Sequence, residues 1–136
     1  MIITVKEFRE MLLNCDPDWS IKFSKWEHIS TAEFPKSYNM PSLVSVCIQD
    51  IMYRRTDDGD VIYKIILEDD FDNEFVMKRD EMIRIFCGNK GDDEMLNFVL
   101  YTEDTPGHYN HIPLTVSIVD KGYSDKVMII DFEEEK

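Results

Sequence analysis

Five carboxylates crowd into the seven residues Glu68-Asp69-Asp70-Phe71-Asp72-Asn73-Glu74, the densest acidic run in the chain. Oxygen ligands at alternate positions are what calcium and magnesium take. Read as a calcium loop opening at Asp70, positions 1, 3, 5 and 12 fall on Asp70, Asp72, Glu74 and Glu81. Position 6, where the sharp turn needs Gly, is Phe75, and the pattern sets no helices around the run. A solvated hairpin tip is the plainer reading. Glu68, Asp70, Asp72 and Glu74 also alternate, so an extended backbone would put them on one face about 6.6 Å apart. Phosphates along a DNA strand are separated by roughly 6–7 Å, and such a row could occupy a cationic groove built for nucleic acid. A turn expected at Asp72-Asn73 would divide the row between two strands.

Other chemistry finds less support. His108 and His111 form H-x-x-H in a polar stretch, without the i, i+4 spacing and intervening Glu of a metalloprotease helix. A zinc site would need two more ligands, and no C-x-x-C occurs. Cys15, Cys47 and Cys87 sit in apolar surroundings, which predicts packed, inert thiols rather than nucleophiles. There is no G-x-S-x-G, P-loop or G-x-G-x-x-G. A non-catalytic protein with no metal and no cofactor is therefore expected. The alternative is a pocket for a nucleotide-like small ligand, and its candidate polar groups are Tyr53, Arg54, Arg55 and His108.

The bulk charge sharpens this. Asp and Glu number 28 against 15 Lys and Arg, a formal net of −13 over 136 residues. Phosphate is gripped by Lys and Arg, so direct nucleic-acid binding is excluded and a basic protein surface is favoured as partner. Disorder is not implied, because 43% of residues are hydrophobic. No apolar run approaches the roughly 18 to 20 residues of a membrane span, and the N-terminus does not read as a signal peptide. Three widely spaced cysteines suit reduced thiols, so the expected setting is the cytoplasm of a host cell.

The elements that would position these groups begin with a helix. Thr4 and Glu7 make a T-x-x-E capping box, with Ile3 and Phe8 placed for a hydrophobic staple. Val5, Phe8, Leu12 and Cys15 repeat at helical spacing, and Asp16-Pro17-Asp18 stops the helix. Trp19, Ile21 and Phe23 then alternate as a half-buried strand. The pattern lapses from Trp26 to Pro41. Leu43 to Arg55 and Val61 to Glu68 read as paired strands around the Asp-Gly signal of Asp57-Asp58-Gly59-Asp60, with Glu74 to Lys78 folding back after Asp72-Asn73 in the same way. Asp80 to Cys87 fits either a short helix or a strand. Leu96 to Leu100, Leu114 to Ile118 and Val127 to Phe132 alternate as strands. Thr102 to Pro113 reads as a polar loop and Asp120 to Asp125 as a turn. No repeat is visible. The whole, residues 1–136, is expected to be a single α+β domain: an N-terminal helix packed on a mostly antiparallel, curved sheet of five to seven strands.

The opening Thr4-Val5-Lys6-Glu7-Phe8, then Leu12, Asp16-Pro17-Asp18 and the strand Ile21 to Phe23, resembles the start of small uncharacterised phage proteins. The resemblance covers about twenty residues and implies a phage or mobile-element origin, where small acidic proteins often inhibit host defence or nucleic-acid enzymes. The expected function is accordingly that of an acidic inhibitor, a nucleic-acid mimic or anti-defence protein, occupying a basic surface of a partner such as a nucleic-acid-binding enzyme. Candidate contacts are the row Glu68, Asp70, Asp72 and Glu74, a second patch at Asp92-Asp93-Glu94, and the aromatics Trp26, Phe34 and Tyr38 of the irregular segment.

Overall fold

The computed structural model describes residues 2–29, 40–70, 72–119 and 126–135. The chain opens with a short strand β1 (Ile2–Thr4) and helix α1 (Val5–Leu13). Three strands follow: β2 (Ser20–Ile29), β3 (Met40–Arg55) and β4 (Val61–Asp69). The same order then recurs, as β5 (Val76–Lys78), α2 (Arg79–Cys87), β6 (Met95–Thr105), β7 (His108–Val119) and β8 (Val127–Glu134).

The capping box forms as expected. The Glu7 amide donates to Thr4 Oγ1 at 3.0 Å, and the Thr4 amide donates to Glu7 Oε1 at 3.2 Å. Helix α1 then buries Val5, Phe8 and Leu12 completely, which is the i, i+3, i+7 stripe of an amphipathic helix. Residues 79–87, ambiguous by pattern, are helical, with Met82, Phe86 and Cys87 buried. Asp80 and Glu81 in its first turn favour the positive end of the helix dipole.

The fold is α+β, but its sheet is not open. Strands run β6-β4-β3-β2-β8-β7, and β7 pairs with β6 again, so six strands close into a barrel. Closure removes most edges. Two of its pairings are parallel, β2 with β8 and β4 with β6, where short connections favour antiparallel pairs throughout. These parallel pairs join strands distant in sequence, so short local connections place no bar on them.

The register shows a repeat that the sequence hides. Thr4 faces Met95 where β1 meets β6, and Lys78 faces Ser20 where β5 meets β2. Residues 20–25 run parallel to 127–132, and residues 95–100 run parallel to 62–67. Ser24 pairs with Ser45 as Val99 pairs with Pro113. Each half is thus a strand, a helix and three strands, and each lends its first strand to the other half. Equivalent positions share burial: Phe8 with Met82, Leu12 with Phe86, Phe23 with Phe98, Val46 with Leu114, Leu67 with Phe132.

The core is built from aromatic side chains of both halves. Phe98 lies 5.3 Å from Phe8 and 5.2 Å from Phe132, centroid to centroid, and Phe23 lies 5.5 Å from Phe86 and 4.9 Å from Phe132. Helices α1 and α2 therefore close the same hydrophobic interior as the barrel strands. No helix among the described residues is long and apolar enough to cross a membrane.

Three further expectations are corrected. Residues 76–78 pair with β2 rather than folding back on β4, because β5 takes the place that β3 leaves vacant beside the start of β2. Thr102 to Pro113 is not a loop: it is the end of β6 and the start of β7, turning at Pro106-Gly107 with Gly107 at φ +85°. Its polar residues run consecutively because the hairpin is exposed on both faces near its turn. Strand β2 also runs on to Ile29, into the stretch where the pattern lapses; the turn expected at Asp120 to Asp125 lies outside the described residues.

Candidate protein-binding surface

Strand β3 leaves β2 after Ser45 and, among the described residues, continues beside β4 alone. Just past that point the β4 ladder continues, the Asp70 amide donating to the Ser45 carbonyl at 2.9 Å, and Cys47 Sγ lies 3.6 Å from the Asn73 carbonyl. From Gln49 onward β3 is an edge arm of the sheet, lying on β4, which stays paired with β6 over Ile62–Leu67. A register shift between Ile48 and Asp50 marks a bulge at its root, a common device for re-aiming a strand. Ile51, Met52 and Tyr53 are 43%, 50% and 58% exposed. Consecutive residues of a strand point to opposite faces, so both faces of the arm present large apolar groups.

The arm is held rigid from within. Tyr53 and Tyr63 meet edge to face at 5.6 Å, Arg55 Nη2 donates to the Tyr53 hydroxyl at 3.3 Å, and the Tyr63 hydroxyl donates to Glu94 Oε1 at 3.3 Å. Lys90 Nζ sits 4.9 Å over the Tyr63 ring. At the tip the Thr56 amide donates to the Asp60 carbonyl and the Gly59 amide to the Thr56 carbonyl, with Gly59 at φ +87°. That is the glycine geometry of a bulged hairpin turn. Asp57, Asp58 and Asp60 are exposed around it.

The acidic run between β4 and β5 is arranged differently from an extended row. Strand β4 ends at Asp69, and Asp70 turns inward to accept hydrogen bonds from the amides of Asp72 and Asn73 at 3.1 Å each. The Asn73 side chain and the Asp72 amide hold the Asp70 carboxyl below the usual aspartate range. Glu74 bonds Lys22 Nζ at 2.7 Å, and Asp69 bonds the buried Lys25 ammonium at 3.0 Å. Glu68 is half-buried at the end of β4, and Asp72 is exposed with no bond to its carboxylate among the described residues. Local turn chemistry thus breaks the mimic spacing.

In the second patch, Asp92 accepts from Arg9 Nη1 at 2.6 Å, and this bond holds its carboxyl low. Glu94 is tied to the Gly91 amide and to Tyr63, leaving Asp93 exposed. Trp26 pairs with Leu43 through backbone in β2, and its side chain lies outside the described residues, as do Phe34 and Tyr38. The structure therefore brings Glu94 to the middle of the arm by way of Tyr63, which pairs with Tyr53, and ties Asp92 to α1 by way of Arg9. It does not bring them to Asp70 or Asp72 in one row.

Neither histidine pair nor thiols assemble a reacting centre. His108 Nδ1 lies 3.7 Å from Asp104, whereas burial and Lys64 hold the His111 pKa below its ordinary value. Residues three apart on a strand face opposite ways. Cys15 and Cys87 are buried and Cys47 half-buried, and burial pushes the Cys47 and Cys87 thiols up. Among the described residues no three His, Cys, Asp or Glu side chains gather as a metal site. Tyr53, Arg54 and Arg55 stand near the β6 end that starts at Met95, while His108 stands past its other end, about 30 Å away along the strand path. Those four groups do not converge.

Sequence reasoning passed over Ile51 and Met52, and also the outer stack of Tyr101 on Tyr109 at 5.3 Å. The signal for the arm was legible: Ile51-Met52-Tyr53 breaks alternation in the middle of a strand, so one apolar group at least must face solvent. No protein-family model, curated protein or solved structure matches the chain.

Proposed function

We propose that the chain is a non-catalytic acidic binding protein that occupies a basic surface of a partner protein, in keeping with the phage or mobile-element origin that its N-terminal resemblance implies. The observation that supports this most is the exposed β3 edge, with Ile51, Met52 and Tyr53 open to solvent and the carboxylates of Asp57, Asp58 and Asp60 at its tip. Exposed apolar groups rimmed by charge mark protein contact surfaces. Aromatic anchors supply affinity, and the surrounding charge supplies on-rate and sign selectivity. With a net of −13 the complementary surface is cationic, as on enzymes that grip nucleic acid. The acidic row Glu68 to Glu74 contributes long-range charge rather than a spaced mimic, because Asp70 and Glu74 are engaged within the fold.

The reading is tested by capture from a bacterial lysate with parent protein, Tyr53→Ser and Met52→Ser, at two salt concentrations. One captured protein that is shared across repeats, weakened by both variants and released by salt is the expected result. Capture that ignores both variants would place the contact elsewhere.

A further inference from the structure

We infer that the open edge of β3 pairs with the same edge of a second copy of this chain, joining two barrels through antiparallel strands centred on Tyr53. The inference does not depend on the identity of any basic partner. In an antiparallel ladder, hydrogen-bonded and non-hydrogen-bonded residue pairs alternate. Thr56 bonds Asp60 at the tip, so Arg54 with Ile62 and Met52 with Lys64 are hydrogen-bonded pairs, given the register. The amides and carbonyls of Ile51, Tyr53 and Arg55 then point away from β4. The Ile51 amide fits this assignment, since it bonds the Asp50 carboxylate at 2.8 Å instead of a strand.

A two-fold axis requires one residue to face itself, because pairs of the two types cannot exchange under the symmetry. Three outward-facing residues qualify. Axes on Met52 or Arg54 obey the same rule, but the first leaves Arg55 opposite the bulge at Gln49 and the second sets two Arg54 guanidinium groups together. Centring on Ile51 sets Arg55 against Cys47, whose amide and carbonyl face β4 because the bulge shifts the ladder between Ile48 and Asp50. Centring on Arg55 sets two guanidinium groups against each other. Centring on Tyr53 avoids both: Tyr53 faces Tyr53 of the partner subunit, Ile51 faces the partner's Arg55, and every outward amide gains a carbonyl.

Charge complementarity agrees with that register. Met52 faces the partner's Arg54 and Asp50 faces the partner's Thr56, on the same face of the ribbon. Asp50 is then the diagonal neighbour of the partner's Arg54, about 7–8 Å between Cα atoms and within reach of an arginine. The contact occurs twice by symmetry. In the single chain the Asp50 carboxylate caps the Ile51 amide; in the pair it is released to Arg54 of the partner subunit while that amide takes a strand carbonyl. The opposite face joins Ile51 and Tyr53 with the partner's Ile51 and Tyr53 into one apolar strip, which doubles the surface offered to any third molecule. Repulsion between two chains of net −13 opposes association, and salt at 0.15 M confines it to about 8 Å.

The test is the mass of the purified chain by sedimentation and light scattering, from about 1 to 200 µM. Twice the 16.1 kDa chain mass should appear as concentration rises. Asp50→Arg and Arg54→Asp should each shift the midpoint of dimerisation at least tenfold upward, and the Asp50→Arg/Arg54→Asp double variant should recover most of the loss. Tyr53→Pro removes an outward amide that β4 does not use, so it should leave circular dichroism unchanged and abolish the dimer. A monomer across the whole range overturns the inference. So does a dimer that tolerates Tyr53→Pro, or single charge reversals that the double variant fails to rescue.

Discussion

Phe98→Ala is the most telling perturbation of the barrel. Phe98 is fully buried, and its ring meets Phe8 at 5.3 Å, Phe132 at 5.2 Å and Phe86 at 6.4 Å. These neighbours come from α1, β8 and α2, so one side chain joins the barrel wall to both helices. Losing a fully buried Phe forfeits about 1.5–3 kcal/mol of transfer free energy. The cavity adds to this, because rings anchored on three other elements cannot collapse inward, and measured Phe→Ala costs reach about 3–5 kcal/mol. The upper part of that range is expected here. Phe23 occupies the equivalent position of the first half and meets Phe86, Phe132 and Phe75 at 5.5, 4.9 and 4.9 Å. Phe23→Ala should therefore cost the same within about 1 kcal/mol. Urea denaturation followed by tryptophan fluorescence measures both, and with a slope of about 1–3 kcal/mol per molar the midpoint should fall by more than about 1 M. A loss under about 1 kcal/mol for Phe98→Ala would refute the shared core. A large loss for one Phe and none for the other would refute the equivalence of the halves.

Thr4→Ala removes the hydroxyl that accepts the Glu7 amide in the α1 capping box and should cost about 0.5–2 kcal/mol, read as a shift in the same denaturation midpoint. Gly88→Ala should destabilise α2, because the added methyl would lie 2.3 Å from the Arg84 carbonyl oxygen; thermal melting is the check. Cys15 and Cys87 should label slowly with a thiol reagent at neutral pH and quickly in denaturant, with Cys47 intermediate, since burial raises the Cys47 and Cys87 thiols. Acid should loosen the Asp70 turn: a carboxyl held low in the fold stabilises it above the ordinary aspartate value and loses that contribution as pH falls through the folded value. Asp70→Asn should flatten this acid dependence, monitored by the Asn73 amide resonance.

What could be read from the sequence was local. Thr4 and Glu7 specify a helix start within four residues, and Asp58-Gly59 specifies a turn, so α1 and the β3–β4 hairpin were legible. The closed barrel was not, because the β2–β8 and β4–β6 pairs join strands far apart in the chain. The repeat was hidden for a related reason. Lys25 and Leu100 occupy equivalent positions, one ion-paired to Asp69 and the other apolar, so the halves share burial without sharing residue types. The 102–113 hairpin was misread because Tyr101, Glu103 and Tyr109 are outward-facing and polar. Among the candidate contacts, Asp70 looks like part of a mimic row only until its Asx turn is seen, and that turn depends on backbone direction after Asp69.

The central claim is that β3 beyond Gln49 offers an unpaired edge for docking, and amide hydrogen exchange resolved by residue tests it most directly. In a dilute sample, Met52 and Arg54 should be protected by β4, while Tyr53 and Arg55 exchange near the rate of an open chain. Equal, strong protection of all four amides at the lowest concentration would contradict the account.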